Sequence, residues 1–159
     1  MKILIPLDGS EMGEAAIPFV KDILSTMSPR AKLEYILLQV VSLRSHYVPV
    51  GDVMAPVAYT EVEMEQIKKN SLDYLKKISK RLKTKGSVLE TRIEMGSVAD
   101  EIIRVADEMN VDLIAMSTHG RHGISRWAFG SVTDKVLRAG LKPVLVVRPT
   151  GEEAKQSSV

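Results

Sequence analysis

Short apolar runs alternate with stretches of helical spacing along the whole chain, and this alternation limits the possible folds more than any other feature. Lys2 to Leu7 reads as a buried strand closed by Asp8-Gly9-Ser10. Glu11 to Thr26 follows with Ala15, Ala16, Phe19, Val20, Ile23 and Leu24 at helical intervals, ended by Ser28-Pro29. Leu33 to Val41 is nearly continuous apolar sequence, as expected of a strand covered on both faces. Ser42 to Tyr59 contains Pro49, Gly51 and Pro56, shows no clear period, and reads as a long loop.

Thr60 and Glu63 form a capping box before a long helix whose inner stripe is Met64, Ile67, Ser71, Leu75, Ile78 and Leu82. Ser87 to Glu94 alternates as a strand does. Ser97 and Asp100 cap a helix with Val98, Ile102, Val105 and Ala106 on one side. Asp112 to Met116 is the fourth strand, Val132 to Ala139 the last helix (closed by Gly140), and Val144 to Val147 the fifth strand. Such alternation implies right-handed crossovers and a parallel sheet with helices on both faces. The expected fold is therefore α/β: a single doubly wound, Rossmann-like domain over residues 1–149, with strand order 3-2-1-4-5. The polar residues 150–159 read as a disordered tail.

The 159 residues suit one domain. The chain has no cysteine, so neither a disulfide framework nor thiolate chemistry is available. The apolar run after Met1-Lys2 is too short for a secretory signal. No segment approaches the roughly 18 apolar residues of a membrane helix, and the default compartment is the cytoplasm. A net charge of +2 does not demand a polyanion partner. The basic run Lys76 to Lys85 reads as the solvated face of the long helix, with cations near its C-terminal end. No aromatic residues interleave there to stack bases, so nucleic acid is not an expected partner.

The stretch from Met116 to Ser131 carries the chemistry. It runs from a strand through a glycine-containing loop to a helix start. Glycine allows close approach of the main chain to an anion, and a helix start offers unpaired N–H groups at a positive dipole end. In a sheet of the expected order, the winding reverses between the first and fourth strands, where Asp8 and Ser117 to Gly120 meet. Neither G-x-x-x-x-G-K-[ST] nor an early G-x-G-x-x-G is present, which disfavours P-loop enzymes and ordinary dinucleotide dehydrogenases. His119 and His122 have no third ligand beside them, so a metal site built on them is not expected. Trp127 and Phe129 read as large apolar groups burying against the sheet or a partner subunit.

Ile5-Pro-Leu-Asp-Gly-Ser-Glu11, Ile36-Leu-Leu-Gln-Val40, Met95-Gly-Ser-Val-Ala99, the Met116 to Ser131 loop and Lys142-Pro-Val-Leu-Val-Val147 together resemble the universal stress protein family, in the family's order. Its nucleotide-binding members carry Gly, two residues, Gly, nine residues, then Gly with Ser or Thr. Gly120, Gly130 and Ser131 match the later positions, and Ser117 stands at the first. The resemblance implies that Gly120, Gly130, Ser131 and Val132 meet the triphosphate of ATP, through N–H groups and the Ser131 hydroxyl. Ser131 also suits an N-cap, since Ser131-Val-Thr-Asp134 fits a capping box. The Ser117 hydroxyl is expected to replace a backbone contact.

Asp8 would act through Mg²⁺ on the phosphates or by accepting hydrogen bonds from ribose or base, and otherwise caps its turn. Val40 would read the adenine edge with its backbone, and Met116 would pack on the base; core strand positions are the alternative for both. Arg121 and Arg126 flank the loop and would either neutralise phosphate charge or simply be solvated. Pro6, His119 and Gly123 complete the expected lining. With no motif lysine for a γ-phosphate, the expected activity is nucleotide occupancy with at most slow hydrolysis. Two alternatives stand beside it: an interaction module without nucleotide, and an adenylating enzyme, which the lack of a glycine-rich loop after the first strand disfavours. A homodimer through the edge strand Val144–Val147 would protect that edge.

Overall fold

The computed structural model describes residues 1–27, 32–42, 46–50, 53–83, 87–118 and 130–148. The tail 150–159, and the loop residues His119, Gly120, Arg121, His122, Gly123, Arg126, Trp127 and Phe129, lie outside them. Seven strands are described: β1 Lys2–Leu7, β2 Glu34–Val41, β3 His46–Val50, β4 Val53–Val57, β5 Val88–Met95, β6 Leu113–Ser117 and β7 Val144–Val147. The helices are α1 Ala16–Met27, α2 Glu61–Leu82, α3 Val98–Glu108 and α4 Ser131–Ala139. The main sheet has the order β5-β2-β1-β6-β7, and all its strands pair in parallel. This is the expected 3-2-1-4-5 arrangement.

Side-chain alternation sorts the strand residues into two cores. Ile3, Ile5, Leu7, Tyr35 and Leu37 point to one face, where Ile17 and Val20 of α1 and Leu75, Ile78 and Leu82 of α2 cover them. Leu4, Ile36, Leu38, Ile114 and Met116 point to the other, under Ala99, Ile102 and Val105 of α3 and Val136 of α4. Burial on both faces is why these strands are written as continuous apolar runs.

The capping box of α2 forms as expected. Glu63 N donates to Thr60 Oγ1 at 3.3 Å, and Thr60 N donates to Glu63 Oε2 at 2.8 Å. Its stripe buries Ser71, Leu75, Ile78 and Leu82. Three expectations need correction. The first helix does not begin at Glu11: a 3-10 turn, Gly13–Ala15, precedes α1. Within that helix Phe19 is exposed and Ile17 is buried in its place. The long loop from Ser42 to Tyr59 contains an antiparallel hairpin, β3 with β4, in register from His46↔Val57 to Val50↔Val53. Pro49 and Pro56 mask its strand signal, since proline removes a ladder donor.

Candidate functional site

β1 pairs with β2 at six positions, Lys2↔Glu34 to Leu7↔Gln39, but with β6 at only two, Ile3↔Leu113 and Leu4↔Ile114. The cause lies in β1 itself. Asp112 N donates to Lys2 O at 2.8 Å, which turns the peptide groups of Lys2, and by alternation Leu4 and Pro6, toward β6. Pro6 has no N–H to give. The ladder stops short of Pro6, at the carboxyl ends of β1 and β6, where the winding of the sheet reverses. Crevices of this kind are where doubly wound sheets hold ligands.

The turn after β1 forms one wall. Gly9 sits at φ +83°, a conformation that favours glycine. Asp8 Oδ1 accepts from Ser10 N at 2.9 Å and from Ser10 Oγ at 2.6 Å. Gly13 N donates to Ser10 Oγ at 3.0 Å. A Cβ at Gly13 would overlap the Asp8 carboxylate. The surroundings are acidic: burial first, then the Glu14 and Asp8 carboxylates, push the Tyr74 hydroxyl well above its ordinary pKa, while Arg81 forms an ion pair with Glu14.

Ser117 ends β6 and is nearly buried. Its hydroxyl donates to Gly13 O at 3.1 Å and accepts from Ala16 N at 2.9 Å. Where the sequence suggests a ligand contact for this hydroxyl, its two bonds among the described residues go to the segment that starts α1. The side chain of Met116 lies in the core beneath α3 and α4, and Val40 packs partly buried against the same cluster. Val40 stands opposite Glu94 near the end of β2.

The start of α4 differs from that of α2. Gly130, not Ser131, is the N-cap, and among the described residues no side-chain cap bond is made to the helix. The capping-box expectation for Ser131 and Asp134 thus fails: Ser131 is exposed in the first turn, and the Asp134 carboxylate accepts from Arg138 Nε at 2.9 Å instead. Among the described residues, no atom beyond Gly130 and its chain neighbours lies within 4 Å of where a Cβ on Gly130 would be. Ser131, Val132 and Lys135 line a cleft of about 470 Å³ shared with Ser42 and the start of α3 from Gly96 to Ala99. Ser97 occupies the N-cap of α3 but makes no cap bond. Lys135 first, then the Ser97 hydroxyl, hold the Asp100 carboxyl below its ordinary pKa.

The structure thus brings Pro6, Asp8, Val40, Met116, Ser117, Gly130, Ser131 and Val132 to the carboxyl end of one sheet. Ser10, Gly13 and the start of α3 were missed in the sequence. The spacing Asp8-Gly-Ser10 with Gly13 three residues on was the available signal for the first two. Among the described residues no helix is long and apolar enough to cross a membrane, and no group of three or more His, Cys, Asp or Glu side chains is placed to hold a metal.

A family model, the universal stress protein family, matches residues 1–148. Universal stress protein MJ0577 of Methanocaldococcus jannaschii is 31% identical over 156 residues, spanning 92% of this chain and 94% of its own. A solved structure of MJ0577 superposes with a TM-score of 0.71 at 28% identity, over 94% of this chain and 96% of that one. A universal stress protein in complex with cAMP shares the fold at TM-score 0.63 and 22% identity, over 94% and 98%. A family protein from Arabidopsis thaliana with AMP bound does so at 0.59 and 14%, over 96% and 94%.

Proposed function

The chain belongs to the universal stress protein family, and we propose that it binds an adenine nucleotide, ATP foremost, in the crevice between β1 and β6. The observation that carries this reading is the start of α4, which bears no side-chain cap among the described residues and borders a cleft. The first N–H groups of a helix need acceptors, and a phosphate supplies them where no side chain does. Two proteins of the same fold hold cAMP and AMP, which supports the ligand class.

In this reading Gly130, Ser131 and Val132 hold the phosphates, together with Gly120, Arg121, His119 and Gly123 of the preceding loop. Val40 offers its backbone to the base beside Met116 and Pro6. Asp8 meets ribose or a phosphate-bound Mg²⁺, which supplies charge neutralisation when present. The protein acts in the cytoplasm as a stress-response module switched by occupancy, with hydrolysis slow at most. Titration calorimetry with ATP, AMP, cAMP and GTP, each with and without Mg²⁺, tests it. Binding of ATP at millimolar or better affinity is expected, and its absence refutes the reading.

One observation favours the alternative of an interaction module without nucleotide: the Ser117 hydroxyl is engaged inward, with Gly13 and Ala16. A melting temperature unmoved by ATP would support that alternative, because a ligand bound only by the folded state must raise it. In either case the chain pairs with a second copy through β7. This strand is the sheet edge, it follows Pro143, and Leu141 beside it is 88% exposed. Light scattering at micromolar concentration should give a dimer; a monomer counts against it.

A further inference from the structure

One chain of hydrogen bonds crosses the crevice wall. It runs from the Asp8 carboxylate through Ser10 Oγ to Gly13 N, resumes at Gly13 O with the Ser117 hydroxyl, and ends at Ala16 N. We propose that Ser117 is the positioning residue of the crevice: its hydroxyl caps α1 from the end of β6 and thereby fixes the turn that carries Asp8.

Ala16 is fully buried and opens α1; its N–H turns to Glu14 O within the 3-10 turn, and the Ser117 hydroxyl is the acceptor that ties it to β6. The Gly13 carbonyl lies next to it in a buried residue and needs a donor. A hydroxyl alone of the small side chains serves both at once. Alanine or glycine at position 117 would remove the tie of both groups to β6 and leave Ala16 N–H only its local acceptor, whereas threonine keeps the hydroxyl.

Strand alternation keeps this duty apart from ligand contact. Ala115 points into the core beneath α1 and Met116 into the core beneath α3, so Ser117 points back toward α1. Thr118 N donates to Val147 O at 2.9 Å, toward β7. The Ser117 amide therefore faces β1, across the open part of the seam. The hydroxyl holds the turn while the amide stays on the crevice side. Serine at this position is thus compatible with a ligand and adds a tie that glycine cannot make.

The binding arm of this inference rests on the nucleotide reading, and the test separates the two. Full-length Ser117→Ala, Ser117→Gly and Ser117→Thr are compared by amide hydrogen exchange at Ala16 and by ATP calorimetry. Alanine and glycine should speed Ala16 exchange about tenfold and weaken ATP about tenfold, with threonine within about threefold of the parent in both, as expected for loss or retention of a buried hydrogen bond.

Unchanged Ala16 exchange in Ser117→Ala overturns the cap. Faster exchange with unchanged ATP affinity overturns the positioning role. If the parent protein binds no ATP, the nucleotide reading falls and Ala16 exchange alone decides the tie. Ser10→Ala provides a second test should the Ser117 variants fail to fold. It breaks the chain one link nearer Asp8, so ATP should weaken while Ala16 exchange stays as in the parent. Undiminished ATP affinity there overturns the proposal.

Discussion

The central strand β1 has two parallel neighbours and pairs along its whole length with only one of them. Toward β2 it pairs at six positions, and β2 in turn pairs at eight with β5, from Glu34↔Val88 to Val41↔Met95. Toward β6 it pairs at two. The closed flank holds fully buried Ile36, Leu37 and Leu38, whose side chains have nothing to do but pack. The open flank ends in a proline, a carboxylate, a hydroxyl and a helix start, groups that a core would not tolerate unpaired. Stability and ligand recognition are therefore divided between the two sides of a single strand. A substitution can be placed on either side to separate them.

The sharpest separation comes from Leu37→Ala on the closed flank. Leu37 is fully buried beneath α1 and α2 and lies opposite Ile5. Its truncation should cost about 3 kcal/mol of unfolding free energy, from lost transfer and a residual cavity. Urea denaturation measures the loss. The folded fraction should bind ATP as the parent does; an affinity that falls in step with stability would erase the distinction between flanks.

Gly13→Ala makes the opposite test. The new Cβ would meet the Asp8 carboxylate, which two bonds from Ser10 hold in place, so the turn must shift. The expected cost is about 1–2 kcal/mol, the scale of one or two hydrogen bonds. Nucleotide affinity should fall by more than tenfold. A variant with parental affinity would mean that the Asp8 turn does not belong to the site.

The two helix starts give a smaller effect in each direction. Thr60→Ala removes the capping box of α2 and should cost about 1 kcal/mol without touching ATP affinity. Ser131→Ala at the uncapped start of α4 should change stability by less than about 0.5 kcal/mol, since Ser131 is exposed and caps nothing. It should nevertheless weaken ATP. Equal effects of both variants on stability would show that α4 is capped in solution as α2 is.

The closed flank was the more legible in the sequence, because burial on both faces writes itself as apolar runs such as Tyr35-Ile-Leu-Leu. The Thr60 capping box followed from local pattern in the same way, whereas the strand order, and with it the edge position of β7, rested on the assumption of a doubly wound sheet. The open flank was legible only in outline. Its departures trace to partners far away in the chain. The start of α1 was misread because its cap comes from Ser117, 101 residues later, where no local signal exists. Ser131 has the sequence of an N-cap, yet Gly130 takes that place. Phe19 matched the helical stripe, and only the position of the sheet shows that Ile17 faces it instead. His119, Gly120, Arg121 and Gly123 fall outside the described residues, so their part in the crevice stays with the binding experiments.

The smallest predicted effect concerns charge on the closed flank. Arg92 of β5 donates to Glu108 at 2.9 Å, and Arg104 of α3 reaches Glu108 at 2.6 Å and Glu94 at 2.8 Å. The Arg92 hydrogen bond first, with the Arg92 charge and then Arg104, holds the Glu108 carboxyl below its ordinary pKa. A depressed carboxylate contributes stability in full above its unfolded pKa of about 4.3 and loses it as pH falls through the lower folded value. Acid unfolding should therefore steepen below about pH 4.3, and Arg92→Met should flatten that part of the curve. The pair is exposed and screened by salt, so the difference should shrink in 1 M NaCl. ATP affinity near neutral pH should be the same in parent and variant, because Arg92 lies on the far side of β2 from the seam that opens. A change in affinity would mean that the two flanks of β1 are coupled through β5, and the division between them would need another cause than pairing.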